Sequence, residues 1–223
     1  MSTFDDINGV CVCGVTEAQF ALAGGVAKWP KSDLTYAITG FIPAFTQAEY
    51  KRIVRDVFDC WEAVCGIRAD EVTSTSANII ISAGRGRRMN FDGPSGVLAW
   101  CELPMGSNPQ QVRLMMDLDE TWVQNGGGIH VKNVLCHELG HGLGLEHITG
   151  AKALMNPIYD ENVPAPLSPD ISQVVQRYGN PRPRTQPQPP STPTTPATPN
   201  GRTPIELSIG GRIQYRAYLE DFR

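Results

Sequence analysis

Hydrophobic positions along residues 28–180 follow two spacings, one typical of strands and one typical of helices. Alternating or short apolar runs predict strands at residues 34–39, 67–72, 78–82 and 112–116. A capping box, Thr46-Gln47-Ala48-Glu49, predicts a helix that runs to Gly66. Its apolar stripe recurs at helical spacing and predicts a face buried in the core: Tyr50, Ile53, Val54, Val57, Trp61 and Val64.

Two further helices complete the pattern. One starts near Ile129 and carries an apolar face. The other opens at Ser168-Pro169-Asp170, read as an N-cap, a first-turn proline and an acid favoured by the helix dipole, and ends at Tyr178-Gly179. These elements predict an α/β (α+β) domain with a twisted, mostly parallel sheet of about five strands, an antiparallel edge strand and three helices.

The periodicity weakens on both sides of this domain. Residues 1–27 predict an extended, partly flexible leader, and residues 28–180 form the predicted domain. Residues 181–204 are rich in proline and threonine, which predicts a polyproline-like linker. Residues 205–223 alternate weakly and are too few to bury a core, so we expect either a disordered tail or a strand pair that docks on a larger assembly.

Composition narrows the classes of function. The chain has 223 residues, is 41% hydrophobic and carries a formal charge of −4, which suits one globular domain and gives no signature of nucleic-acid or membrane binding. The acidic, polar N-terminus predicts no secretory signal. The linker and tail would fit a virion component or a protein exported by another route.

The cysteines are expected to remain free thiols. Cys60 and Cys65 lie five positions apart on one helix and face different ways, and Cys11 and Cys13 alternate along an extended segment, so neither pair has disulfide geometry. Buried free thiols are predicted at Cys60, Cys65, Cys101 and Cys136.

Candidate chemistry is concentrated in the run HELGHGLGLEH at residues 137–147. On a helix, His137 and His141 lie one turn apart on one face and can bind the same zinc ion. Gly144 permits a sharp turn that returns His147 as a third ligand. Three histidines leave a fourth position for water, which is typical of catalytic zinc.

Glu138 stands beside the first ligand, where a carboxylate can take a proton from that water. A helix with surface histidines is the competing interpretation. Downstream, Met155 occupies a tight turn in Ala153-Leu154-Met155-Asn156-Pro157.

The HExxHxxGxxH run followed by such a turn resembles the metzincin metalloproteases, and Leu-Met-x-Pro with Tyr159 just beyond it resembles their matrixin (matrix metalloproteinase) branch. The resemblance covers about residues 13–179. It implies a metzincin-like fold with a zinc cleft and a zinc-dependent endopeptidase that acts on protein or peptide substrates. Met155 would form the floor beneath the metal, and Pro157 and Tyr159 would wall the pocket for the side chain after the cut.

Residues 91–99 resemble the matrixin loop and edge strand, which implies that Leu98 and Ala99 pair with extended substrate. Cys13-Gly14-Val15 resembles the cysteine switch of a matrixin zymogen, which implies a thiolate on the open zinc position. The family motif has arginine and proline where this chain has Val12 and Thr16. An ordinary leader cysteine is the alternative.

Two further metal sites follow from the resemblance. Asp92, Asp117 and Glu120 match matrixin calcium ligands, and a solvated acidic loop is the alternative. Vertebrate-type matrixins hold a second, structural zinc, but this chain has residues 86–89, Trp100 and Met115 at the corresponding positions.

None of these residues is an imidazole, and His130 matches no ligand, so we predict a surface position for His130 and a single zinc. A latent metzincin-fold interaction module with Cys13 capping the zinc, and a zinc amidase acting on cell-wall peptide, remain alternatives to the endopeptidase. The intact Glu138 argues against a purely structural zinc.

Overall fold

The computed structural model describes residues 12–14 and 28–183, together with the backbone of two strands near the C-terminus. The chain divides into two compact units, Met1–Pro183 and Arg184–Arg223. The first unit contains the predicted domain. The remainder of the leader and most of the linker lie outside the described residues.

A six-stranded sheet forms the centre of the first unit. Its strands are β1 Val12–Cys13, β2 Asp33–Ile38, β3 Arg68–Glu71, β4 Ile79–Gly84, β5 Val97–Cys101 and β6 Val112–Asp117. Their order is β1-β5-β6-β4-β2-β3. Strands β2, β3, β4 and β6 run parallel, and β5 pairs antiparallel with β6. The predicted mostly parallel sheet with an antiparallel edge strand is confirmed, and the leader adds β1 outside β5.

The three predicted helices are present. They are α1 Gln47–Glu62, α2 Val131–Gly142 and α3 Ser168–Tyr178. The capping box of α1 is formed, since the Thr46 N–H donates to the Glu49 carboxylate at 2.9 Å and the Glu49 N–H donates to the Thr46 hydroxyl at 3.3 Å. No helix in the described part of the chain is long and apolar enough to cross a membrane.

Two helix starts differ from the predictions. Helix α2 begins at Val131 because Ile129–His130 forms a short strand, β8, that pairs with β7 at Trp122–Val123. Ser168 is the first residue of α3 and not its N-cap, which is Leu167. The Leu167 N–H donates to the Asp170 carboxylate at 2.7 Å, so an acid inside the first turn satisfies the helix start.

Helix α2 is held by hydrogen bonds from distant aromatic side chains. The Trp61 indole N–H donates to the Cys136 carbonyl at 3.0 Å, and the Trp29 indole N–H donates to the Gly142 carbonyl at 2.8 Å. The buried Tyr178 hydroxyl donates to the carbonyl of Leu143, the residue after Gly142, at 2.7 Å. The bonds to Gly142 and Leu143 satisfy carbonyls at the helix end, and the three bonds together hold α2 in place.

In the second unit, β9 Pro204–Ile209 and β10 Arg212–Tyr218 form an antiparallel pair. The docking of this pair on a larger assembly stays a prediction.

Substitutions at two glycines of α2, Gly140 and Gly142, test how closely Met155 packs against the helix. A Cβ at Gly140 would overlap the Met155 sulfur and lie 3.1 Å from Trp61 Cζ2, whereas at Gly142 its closest neighbour would be the Cys101 sulfur at 3.2 Å. Because Met155 is fully buried, Gly140→Ala should lower the free energy of unfolding by about 1–3 kcal/mol. Gly142→Ala should be close to neutral, since better helix propensity offsets a small contact.

Urea unfolding of both variants at one fixed zinc concentration measures the difference. Equal stability of the two variants would contradict the packing of Met155 beneath Gly140.

Candidate metal centre and cleft

Three imidazoles converge on one point. His137 and His141 project from α2, and Gly144, with φ 86°, turns the chain so that His147 returns beside them. The Nε2 atoms of His137 and His141 are 3.1 Å apart, as are those of His141 and His147. Nitrogens bound at tetrahedral angles to one zinc ion are about 3.3 Å apart, so the three side chains fit zinc without rearrangement.

Backbone carbonyls orient two of these rings. The His137 Nδ1–H donates to the Leu154 carbonyl at 2.7 Å, and the His141 Nδ1–H donates to the Leu145 carbonyl at 2.9 Å. A carbonyl can only accept, so each bond places the proton on Nδ1 and leaves the Nε2 lone pair for a metal.

Burial keeps the histidines uncharged. Desolvation lowers the pKa of His137 and of His147 to about 4 and holds the pKa of His141 well below its usual value. Mutual repulsion among the rings acts in the same direction at His137 and His141. All three are therefore neutral at pH 7, which is the form that binds metal.

Glu138 lies beside this centre with only 1% of its surface exposed. Burial raises the pKa of its carboxyl to about 8, and a hydrogen bond with the Cys13 thiol lowers it slightly. Its Oε2 atom has no hydrogen-bond partner within the described residues. A buried carboxyl oxygen of this kind is available to a water or substrate in the cleft.

Asp170 supports the centre from behind. Its carboxylate is fully buried and accepts the N–H groups of Leu154, at 2.8 Å, and Met155, at 2.9 Å. The Leu154 carbonyl in turn holds His137. The sequence indicated Asp170 only as a helix-dipole acid, because its partners lie 15 and 16 positions away and no local motif marks them.

Residues 12–14 of the leader lie in the cleft. The Cys13 N–H donates to the Pro157 carbonyl at 3.1 Å, and the Gly14 N–H donates to the Ala99 carbonyl at 2.8 Å, so β1 runs parallel to β5. The Cys13 sulfur and the three histidine nitrogens all lie within 4.8 Å of one another. Four potential ligands therefore surround one point.

A pocket opens beside Glu138, between the edge strand and the turn that follows Met155. Leu98, Pro157 and Tyr159 line it, together with Asn133 on α2. The Tyr159 hydroxyl donates to the Gly128 carbonyl at 2.9 Å and accepts the His130 N–H at 2.8 Å, which fixes one wall. His130 lies partly exposed and outside the group of histidine ligands.

The acidic residues form a second polar region. Asp117 is fully buried, and Glu120 has a pKa raised to about 7, mainly by burial. The Asp117 Oδ2 and Glu120 Oε1 atoms are buried without hydrogen-bond partners in the described part of the chain. Asp92 is exposed, and its carboxylate accepts the Val97 N–H at 3.1 Å.

The positions that correspond to the second matrixin zinc are filled by side-chain packing. The Trp100 indole N–H donates to the Met89 carbonyl at 2.7 Å, and the Arg113 guanidinium lies 5.8 Å from the Trp100 ring centroid. The Met89 sulfur packs directly on Gly84, and the Met115 sulfur lies 3.6 Å from the Cβ position of that glycine. An indole, a guanidinium and two thioethers provide no zinc site.

Comparison with known proteins agrees with this geometry. A family model described as Matrixin matches residues 28–179. The chain is 38% identical to stromelysin-3 of Rattus norvegicus over 170 residues, which are 74% of this chain and 34% of that protein. It is 35% identical to interstitial collagenase of Sus scrofa over 186 residues, 80% of this chain and 39% of that protein.

Neutrophil collagenase of Homo sapiens is 32% identical over 154 residues, 66% of this chain and 32% of that protein. The chain thus spans about a third of the length of the relatives it matches. The residues matched by the family model contain strands β2 to β6, all three helices and the histidine centre. The chain belongs to the matrixin family of zinc metallopeptidases.

Proposed function

We propose that this matrixin hydrolyses internal peptide bonds of proteins. The observation that carries the proposal is the group of three neutral histidines, of which His137 and His141 are buried and His147 is half-buried, with the buried carboxyl of Glu138 beside it. His137, His141 and His147 would hold the zinc. The matched stromelysin and collagenases support the assignment to a peptidase.

Zinc held there would supply the chemistry that lowers the pKa of a water molecule towards about 7 and polarises a peptide carbonyl. Glu138 is the general base: a cation nearby favours the ionised form of its carboxyl, which then accepts the water's proton at Oε2. Glu138 afterwards delivers that proton to the nitrogen of the leaving amine. The buried surroundings keep bulk water from competing for the carboxylate.

An extended substrate would pair with the edge strand β5 through its backbone, at Leu98 and Ala99. The pocket between Leu98, Pro157 and Tyr159 would receive the side chain that follows the scissile bond. Met155, fully buried against Gly140, would support the ligand-bearing helix from below.

Glu138→Ala should reduce kcat/KM for a casein-derived or gelatin peptide by at least about 10²-fold, because general base catalysis contributes on that scale. Bound zinc should remain at the wild-type level, since the three histidines are intact. Glu146→Ala is the matched control, because Glu146 is an exposed carboxylate of the same run. Near-wild-type hydrolysis by Glu138→Ala would reject the mechanism.

We further propose that the leader keeps the enzyme latent. Two observations support this proposal. Strand β1 covers the backbone of β5, and the Cys13 sulfur lies beside the three histidines. A thiolate there would take the position that water needs.

Cys13→Ser should therefore raise the initial rate of peptide hydrolysis by about tenfold or more over the intact protein, because a hydroxyl is a much weaker zinc ligand than a thiolate. Cys65→Ser serves as the control, since Cys65 is buried away from the cleft and donates to the Trp61 carbonyl, a bond that serine keeps. Equal initial rates for the intact protein and Cys13→Ser would leave Cys13 as an ordinary leader residue.

We propose one zinc and one calcium per chain. The calcium would bind near Asp117 and Glu120, whose buried oxygens lack partners among the described residues, with Asp92 at the rim. Hard carboxylate oxygens suit this ion.

Elemental analysis of protein purified without added zinc should give a zinc content near one. After equilibration with calcium it should give a calcium content near one, reduced in Asp117→Asn. Asp160→Asn is the control, because Asp160 is an exposed acid in a different loop. A reproducible zinc content near two would contradict the packing interpretation of Trp100, Met89 and Met115.

A further inference from the structure

Two cysteines meet on the side of α2 that faces α1, away from the cleft. Cys60 lies in the last turns of α1 and is half-buried, whereas Cys136 lies on α2, fully buried, directly before His137. Their side chains are hydrogen-bonded to each other. The sequence predicted both as buried free thiols; both are free, but Cys60 is partly exposed and the two are partners.

We propose that Cys60 and Cys136 are a peroxide-oxidisable pair, whose disulfide clamps α1 to the ligand-bearing helix α2. The backbone around the pair is already fixed. The Trp61 indole, next to Cys60, donates to the carbonyl of Cys136 at 3.0 Å. The two sulfurs therefore belong to segments that are joined before any covalent bond forms.

The surroundings of Cys60 favour it as the thiol that reacts first. The hydrogen bond from Cys136 lowers the pKa of Cys60 to about 6, and the positive charge of Lys132 assists. Burial and the carboxylates of Asp56 and Asp59 oppose this shift. A partly exposed thiol with thiolate character is the usual target of peroxide.

The other described cysteines of the domain core lack these features. Cys65 is buried, donates to the Trp61 carbonyl, and has a pKa raised to about 11. Burial also raises the pKa of Cys101, which is fully enclosed. Among the cysteines of the domain core, oxidation should therefore select the Cys60–Cys136 pair.

The reaction balances with hydrogen peroxide as the oxidant. The Cys60 thiolate attacks one peroxide oxygen, the O–O bond breaks, and hydroxide leaves, which gives a sulfenic acid at Cys60. The Cys136 sulfur then attacks the Cys60 sulfur, and the S–O bond breaks as water departs with the remaining proton. Two thiols have lost two electrons, and the peroxide has become two water molecules.

Peptide mapping of the oxidised full-length protein tests whether Cys60 and Cys136 become linked. Cys65→Ser protein is treated with a small excess of hydrogen peroxide, blocked with a thiol alkylator and digested with trypsin. Cys60 lies on residues 56–68, Cys136 on residues 133–152, and Cys11 and Cys13 on residues 1–28, so the link joins two identifiable peptides.

We expect the 56–68 peptide to be joined to the 133–152 peptide, with the loss of two hydrogen atoms. A thiol reductant should reverse the link. The link should be absent from the Cys60→Ser, Cys65→Ser double variant. In wild-type protein, fragmentation of the joined peptides should place the bond on Cys60 and not on Cys65, which keeps the test valid if Cys65→Ser folds poorly.

Thermal unfolding supplies an independent readout. Because the disulfide would close a long loop of chain, the oxidised protein should melt about 5 °C or more above the reduced protein, and Cys60→Ser should show no such peroxide-dependent rise. Oxygen adducts on Cys60 without a link to Cys136, or a link that forms only in denaturant, would overturn the proposal.

Discussion

The structure depends on keeping three imidazoles, two of them buried, uncharged and aimed at one point. Placing them out of water costs little only while they stay neutral, and each Nδ1 proton needs an acceptor. The carbonyls of Leu154 and Leu145 supply that acceptor for His137 and His141. The geometry of the centre is therefore decided by backbone as much as by the histidines themselves.

That backbone is in turn held from a distance. Asp170 fixes the N–H groups of Leu154 and Met155, so the first turn of the last helix sets the position of a carbonyl that orients His137. Trp61 and Trp29 bind carbonyls of α2. A centre built from eleven consecutive residues thus depends on contacts drawn from both ends of the domain, which is why it needs the whole fold.

The sequence predicted the features that depend on residues close to one another along the chain. The histidine run, the Thr46 capping box and the turn at Gly179 all act within a few positions, and the structure contains each of them. The start of α2 was placed too early, because the pairing of Ile129–His130 with Trp122–Val123 is a tertiary contact. The partners of Asp170 and the Cys60–Cys136 pair were not predicted, since no spacing rule connects residues that only the packed helices bring together.

The parallel pairing of β1 with β5 also affects how far the edge of the sheet is open to other chains. Strand β5 closes the sheet on the cleft side, and an uncovered edge strand offers a row of backbone donors and acceptors to any extended chain, including another copy of the same protein. With Gly14 bonded to Ala99, residues 12–14 occupy part of that row. A second extended chain can therefore pair with this part of β5 only by displacing them.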